Sequence, residues 1–241
     1  MIASIIPLIN FLLVFFYLPE TKPYSDSNKS KTILRNPLKE LFTVFKEEKI
    51  KKLSLAFFIY FIAFTGLTNI LIFFLQESLN WTTKASSGTL VVVGIIAIIV
   101  QGVLIGPLVK QFGEMKLTLM GSGFILVACS LLITTPKENA TINIYSAVSF
   151  LAVGAGLITP TLRALISKKL DVDKQGSILS NLQGLQSLGG VLGIAMAGRV
   201  YDSFGPKSPF IAGSVILLFM IYLIAERKNN NSFNNQNSKV S

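Results

Sequence analysis

Six polar side chains stand inside otherwise apolar stretches of this sequence: Asn69, Gln101, Arg163, Asn181, Gln183 and Gln186. In a low-dielectric setting an amide or guanidinium must face protein, water or a ligand, because unpaired donors and acceptors are costly there. The six are therefore candidates for lining a path taken by a polar solute. Arg163 stands out as the one charge well inside an apolar run. The plainer reading is that the amides hydrogen-bond between helices. On that reading Arg163, about one turn from the end of its run, extends its head group to the membrane interface. Bond-making chemistry is not indicated. With no His and one Cys, the chain has no histidine-based metal site, no His general base and no intrachain disulfide. It lacks a Walker-type phosphate loop, a GxSxG elbow and a clustered acidic pair. No enzyme activity, metal or cofactor is expected. Cys129 lies among apolar residues and reads as a small hydrophobe.

A second set of residues is suited to motion or close packing. Gly102 with Gly106, and Gly189 with Gly193, have the four-residue spacing that lets helices approach closely. Gly156 and Pro160 lie late in one apolar run, where proline removes a backbone hydrogen bond and bends a helix. These are gating candidates, with static packing and a static bend as the simpler alternatives.

Such residues need elements to hold them, and the apolar runs supply these. A helix crosses a bilayer with about 20 apolar residues. Seven runs qualify: 2–18, 53–75, 86–109, 117–134, 142–166, 176–197 and 209–225. Hydrophobic residues make up 51% of the chain and charged ones 14%, too few charges to cover a soluble domain. The expected fold class is all-α, a polytopic transmembrane helix bundle of about seven spans. The run at 2–18 lacks the basic start and cleavage site of a signal peptide and reads as a membrane helix shortened at its beginning. Residues 19–52 form the longest connection. Within it, Asn36 and Pro37 open an amphipathic helix with Leu38, Leu41, Phe42 and Phe45 on its apolar face, lying on the membrane surface. Residues 53–225 form a six-helix bundle. The Asn- and Ser-rich tail at 226–241 is expected to be disordered.

The net charge of +10 could indicate nucleic acid, but the basic residues sit between the apolar runs. Anionic lipid and membrane orientation explain them better. If 19–52 is cytoplasmic, seventeen of the 22 Lys and Arg fall on that side. Lys84, Lys137, Arg199 and Lys207 fall opposite, and Arg163 lies within a run. The expectation is a multi-pass protein of a bacterial inner membrane with a cytoplasmic C-terminus.

The sequence also repeats itself. Gly106-Pro-Leu-Val-Lys-Gln-Phe-Gly113 closes the third run, and Gly198-Arg-Val-Tyr-Asp-Ser-Phe-Gly205 closes the sixth. In the topology above they lie on opposite faces, the relation an inverted repeat of three helices predicts.

The first of these motifs, continued to Glu114-Met-Lys116, resembles the loop signature of the major facilitator superfamily in the copy between helices 8 and 9. Gly156-Leu-Ile-Thr-Pro160-Thr-Leu-Arg163-Ala-Leu-Ile-Ser167, with Asp173-Lys-Gln175-Gly176 after it, is similar to the helix 10 to helix 11 passage of the tetracycline-antiporter branch. Glu77 to Trp81 and Leu18-Pro19-Glu20-Thr21 fit the same branch. The resemblance implies that the seven runs are helices 6 to 12 of a twelve-helix carrier, with helices 1 to 5 missing. It further implies secondary transport, with efflux of a small molecule by antiport as the expected form. The partners would be the lipid bilayer, an unspecified small-molecule substrate, and the missing N-terminal half or a partner chain, but no nucleic acid. A non-transporting membrane fragment, and a half-carrier that needs a partner, are the alternatives. One departure bears on gating. The family's signature has an acid where this chain has Lys110, so the role of that acid is not carried over. Lys110 is instead expected to pair with Asp171 or Asp173 in one state of the carrier.

Overall fold

The computed structural model describes positions 7, 11–14 and 16, together with residues 41–136 and 140–237; for 172, 173 and 226–237 only the backbone is described. The chain divides into two compact units, Met1–Asn36 and Pro37–Ser241. In the first unit the described positions, all within the expected run 2–18, are helical. Most of the connection at 19–52, including Asn36, Pro37 and Leu38, lies outside the described residues.

The second unit holds six long helices. They are α1 (Lys51–Leu79), α2 (Thr83–Phe112), α3 (Glu114–Thr134), α4 (Ala140–Ser167), α5 (Val172–Phe204) and α6 (Ser208–Asn237). At about 1.5 Å per residue, each can cross a hydrocarbon core of about 30 Å. All except α5 are also apolar enough over the required length. Helix α5 is the longest, at 33 residues, but Asn181, Gln183 and Gln186 interrupt its apolar run. The helices outrun the apolar segments at both ends, except α3, which does so only at its start, because apolarity marks the hydrocarbon core and not the end of the hydrogen-bond ladder. Helix α6 continues to Asn237, into the region where the sequence suggests a disordered tail. Adding residues to an existing helix is far easier than nucleating one.

Chain reversals follow local chemistry. Asn80 ends α1 in the left-handed region (φ 53°), which Asn tolerates. The Thr82 hydroxyl caps α2 by accepting from the Ala85 amide at 3.3 Å. Gly113 ends α2 at φ 74° and Gly205 ends α5 at φ 90°. A side chain at either position would strain the backbone, so the glycine that closes each copy of the repeated motif does the same conformational work in both.

Packing follows the repeat as well. Helix α1 packs on α5 and α6, while α4 packs on α2 and α3. Helix α1 also touches α4, α3 touches α6, and the pairs α1–α2, α2–α3, α4–α5 and α5–α6 are in contact too. Exchanging α1–α2–α3 for α4–α5–α6 maps this contact pattern onto itself, as for two interlocked triplets about a pseudo-two-fold axis.

Glycines let the crossings close. A Cβ on Gly193 would stand 2.2 Å from the Ile62 carbonyl oxygen, and one on Gly66 would stand 2.8 Å from the Gly193 carbonyl oxygen, so α1 and α5 touch backbone to backbone. Gly121 and Gly154 meet in the same way between α3 and α4. Gly156 fits against Val100 of α2, and Gly213 against Leu67 of α1. Gly102 and Gly106 behave differently among the described residues. Neither has an atom within 4 Å of where a Cβ would sit, so they form no close crossing among the described residues. Gly102 lies in a π-turn, Val100–Leu104, that interrupts α2.

The segment before α1 also differs in detail. Leu41 is helical and Phe42–Phe45 is a 3-10 turn. The tighter winding shifts the inward position, so Val44 is buried and Phe42 is exposed, while Leu41 and Phe45 pack at the core edge. Large apolar residues remain exposed on α2 (Val91, Ile98, Val103), α5 (Val191, Ile194) and α6 (Val215, Leu218). Only 11% of the apolar window of α2 is buried, against 50% for α1. Surfaces of this kind belong against lipid or protein.

The crossings yield the first test. Gly193→Ala should destabilise the bundle by about 1–3 kcal/mol, since a backbone carbonyl must move. Gly106→Ala should be neutral or slightly stabilising, by up to about 1 kcal/mol, from helix propensity. Heating the detergent-solubilised protein with a thiol-reactive fluorogenic dye reads both, because the single cysteine, Cys129, is buried in the folded state.

Candidate transport-path site

Helices α1, α4 and α5 converge on one polar cluster. On α4, Pro160 offers no amide hydrogen, so the Gly156 carbonyl one turn earlier loses its usual helical donor. The helix nonetheless runs unbroken from Ala140 to Ser167, with Gly156 seated on the π-turn of α2. Beside the proline, Thr159 and Tyr60 bring their hydroxyls to 3.4 Å and so link α4 to α1.

Arg163 lies just under one turn beyond Pro160. Its side chain crosses to α5, where Nη2 donates to Gln183 Oε1 at 2.7 Å and to Gln186 Oε1 at 2.5 Å. The two glutamines are three residues apart and therefore share a face of α5. On the other side, the Arg163 guanidinium carbon lies 5.9 Å from the centre of the Phe57 ring. Phe57 begins an aromatic row on α1 that continues through Phe61, Tyr60 and Phe64, with Tyr60 and Phe64 stacked at 5.5 Å. Arg163 and Gln186 are half-buried, and Gln183 is exposed. Three of the six polar candidates thus meet in one place.

The other three do not join them. Asn69 is exposed and its amide donates to the Thr65 carbonyl of its own helix at 2.9 Å. Gln101 is exposed within the π-turn of α2. Asn181 turns to the segment before α1 and donates to Thr43 Oγ1 at 3.2 Å.

That last contact belongs to a charged end of the bundle. Leu41 seats against Gly184, and Glu47 pairs with Lys174 at 3.5 Å, so the segment lies along the start of α5. Nearby, Lys168 after α4 is ion-paired with Glu114 at the start of α3. Below that pair, the Thr118 and Thr161 hydroxyls meet at 2.9 Å in the core. Lys110 is exposed and lines a cavity of ≈ 320 Å³ with Gly106, Glu114 and Pro160. Asp171 is exposed at the start of α5, and the Asp173 side chain lies outside the described set. Among the described residues Lys110 makes no ion pair, and the cross-loop bridge is Glu114–Lys168. Sequence reasoning missed that bridge, and it also missed Phe57, Tyr60 and Thr159. Glu114 follows the motif glycine directly, which was a usable signal. The pairing of Tyr60 with Thr159 had none. At the opposite end, Tyr201 donates to Glu77 at 2.6 Å and Trp81 packs on Tyr145 at 6.1 Å.

The fold and site define a polytopic membrane protein built from two interlocked helix triplets around a polar cluster. A family model for the Major Facilitator Superfamily matches residues 1–194, and the chain belongs to that superfamily. It is 21% identical to hippocampus abundant transcript-like protein 1 of Rattus norvegicus, over 93% of this chain and 49% of that protein. It is 26% identical to tetracycline resistance protein, class H, of Pasteurella multocida, over 54% of this chain and 32% of that protein. It is 23% identical to major facilitator superfamily domain-containing protein 10 of Mus musculus, over 94% of this chain and 53% of that protein. The chain spans about half the length of the two relatives it matches along most of its own length.

Cross-linking tests the charged end. In a Cys129→Ser background, cysteines at 114 and 168 should be joined efficiently by a short bis-maleimide. Cysteines at 110 and 171 should react more slowly. The reverse order, read by mass spectrometry, would assign the bridge to Lys110.

Proposed function

We propose that this chain is the C-terminal six-helix half, with one preceding helix, of a secondary active carrier that exports a small molecule. The observation that carries the reading is the Arg163–Gln183–Gln186 cluster with Phe57 beside it, built from the first helix of one triplet and two helices of the other. Carriers of inverted-repeat design place their substrate near the middle of the bilayer, between two such units, and rock the units around it. Gly156 and Pro160 sit beside the cluster, at the crossing of α4 with α2, where a change of bend would move Arg163. The antiport reading leans on the likeness to the tetracycline resistance protein.

The exposed apolar faces of α2 and α5 are where a second six-helix unit would pack, supplied by the rest of a longer chain, a separate partner or a second copy. Without it, the open cluster has half a site and no opposing wall. Reconstituted alone in liposomes under a proton gradient, the chain should show no saturable flux of candidate drugs. Co-reconstituted with an N-terminal six-helix unit, it should. Saturable, substrate-specific flux by the isolated monomer would overturn the half-carrier reading.

Orientation follows from charge. The excess of lysine at the end bearing Lys110, Lys116, Lys168, Lys169 and Lys174 supports a cytoplasmic side there, with a bacterial inner membrane as the setting we propose. In a Cys129→Ser background, cysteines replacing Lys174 and Lys207 should react with an impermeant maleimide from opposite sides. Labelling from one side would sink this topology.

A further inference from the structure

We propose that the Arg163 cluster is an anion-binding site, and that the molecule it receives is an organic anion whose carboxylate docks on the guanidinium. The inference rests on the carrier reading only in naming that anion as cargo; the binding site itself stands on the geometry. Arg163 is half-buried inside a helix long and apolar enough to span a membrane. A cation in that position needs compensation. The partners it has are two amide oxygens, which offer dipoles but no negative charge. No Asp or Glu among the described residues pairs with it. Both of its hydrogen bonds leave from Nη2, whereas a guanidinium carries five N–H donors in a planar fork. Nη1 and Nε therefore keep donors that no described residue takes up.

Two held bonds with the rest of the fork open is an arrangement that fixes the plane of the head group and leaves an edge for a ligand. Planar forks of this kind select carboxylates and related oxyanions in bidentate geometry. Gln183 and Gln186 act as positioning residues, since they hold the head group without neutralising it. The guanidinium sits at the edge of the packed core, because Phe57 and Tyr60 beside it are fully buried. Phe57 flanks the guanidinium at 5.9 Å, and the half-buried Phe64 stacks on Tyr60 farther along α1. Of that row only the half-buried Phe64 offers surface to an aryl or alkyl body beside the carboxylate. A cationic ligand would meet like charge.

Two other sources of negative charge compete: an anionic lipid headgroup reached by the arginine, and an acidic residue of the unit that packs on this one. The test separates all three. The purified chain in a neutral maltoside detergent is heated with the thiol-reactive dye, Cys129 reporting unfolding, in the presence of 2-naphthoate, 2-naphthamide or 2-naphthylmethylamine. Naphthoate near ten times its Kd should raise the midpoint by about 3 °C. The amide and the amine should not. Arg163→Gln should abolish the naphthoate shift, and Arg163→Lys should retain part of it. If the Gln variant does not fold, the three ligands on the unaltered chain still decide the matter. Equal shifts from naphthoate and naphthamide would overturn the proposal. A shift from phosphatidylglycerol and none from naphthoate would assign the charge to lipid and overturn it too. No shift from any anion would assign Arg163 to an acid of the packing unit, with the same consequence. The carrier reading fails separately, by absence of flux from the complete assembly. Charge-selective binding without flux would leave this site standing.

Discussion

Backbone must approach backbone where these helices cross, and much else depends on it. In lipid, one helix gains little from hiding its leucines against another, because the tails are equally apolar. What remains is close van der Waals contact and the few hydrogen bonds that polar side chains make across the gap. Gly193 against the Ile62 carbonyl and Gly121 against Gly154 provide the contact. They bring α5 onto α1 and α4 onto α3 near enough for short polar side chains to reach. Thr118 and Thr161 then meet at 2.9 Å in the core between α3 and α4. Hydrogen bonds of this type average about 0.6 kcal/mol in membrane proteins, so they refine a geometry that the glycines set.

The same constraint decides how much could be read from the sequence. The spans were legible because a bilayer demands a length and an apolarity that no loop supplies. The repeat was legible because a positive φ after α2 and again after α5 calls for glycine, and Gly113 and Gly205 sit at matching places. Close crossings were only half legible. Gly102 with Gly106 and Gly189 with Gly193 have identical spacing, yet only the second pair touches a neighbour. Spacing shows that a face is small without showing what faces it. The π-turn at Val100–Leu104, which holds Gly102, carries no clear mark in the sequence.

Long-range polar partners were the least legible. Arg163, Gln183 and Gln186 were identifiable one by one as polar groups in apolar surroundings. That they form one cluster, and that Asn69, Gln101 and Asn181 stay outside it, depends on the rotation of α5 against α4. A modest turn of α5 about its own axis would have presented a different set of its side chains to Arg163, and the sequence contains no measure of that angle. The charged end shows the same limit. Lys110 draws attention because it stands where an acid is usual, but Lys168 holds the ion pair with Glu114. Lys110 is near that acid as well, since Glu114 lies one turn past Lys110 across the Gly113 reversal and lines the same cavity.

These pieces are mechanically connected. The Gly156 carbonyl, without its helical donor because of Pro160, sits where α4 touches the π-turn of α2. A helix is easiest to bend where its hydrogen-bond ladder is already broken, and α4 and α2 each have such an irregularity at this one crossing. Arg163 follows the broken turn directly, so a bend there displaces the guanidinium relative to α5, which is held on α1 by Gly189 and Gly193. The bonds to Gln183 and Gln186 cross to α5 just beyond that turn, whereas Thr118–Thr161 and Glu114–Lys168 tie the end of α4 to α3. A ligand seated on Arg163 would therefore engage the end of α4 and, through Gln183 and Gln186, α5 together. That is the condition for a bound molecule to bias one arrangement of the helices over another, because it can shift the balance only by binding the two arrangements unequally.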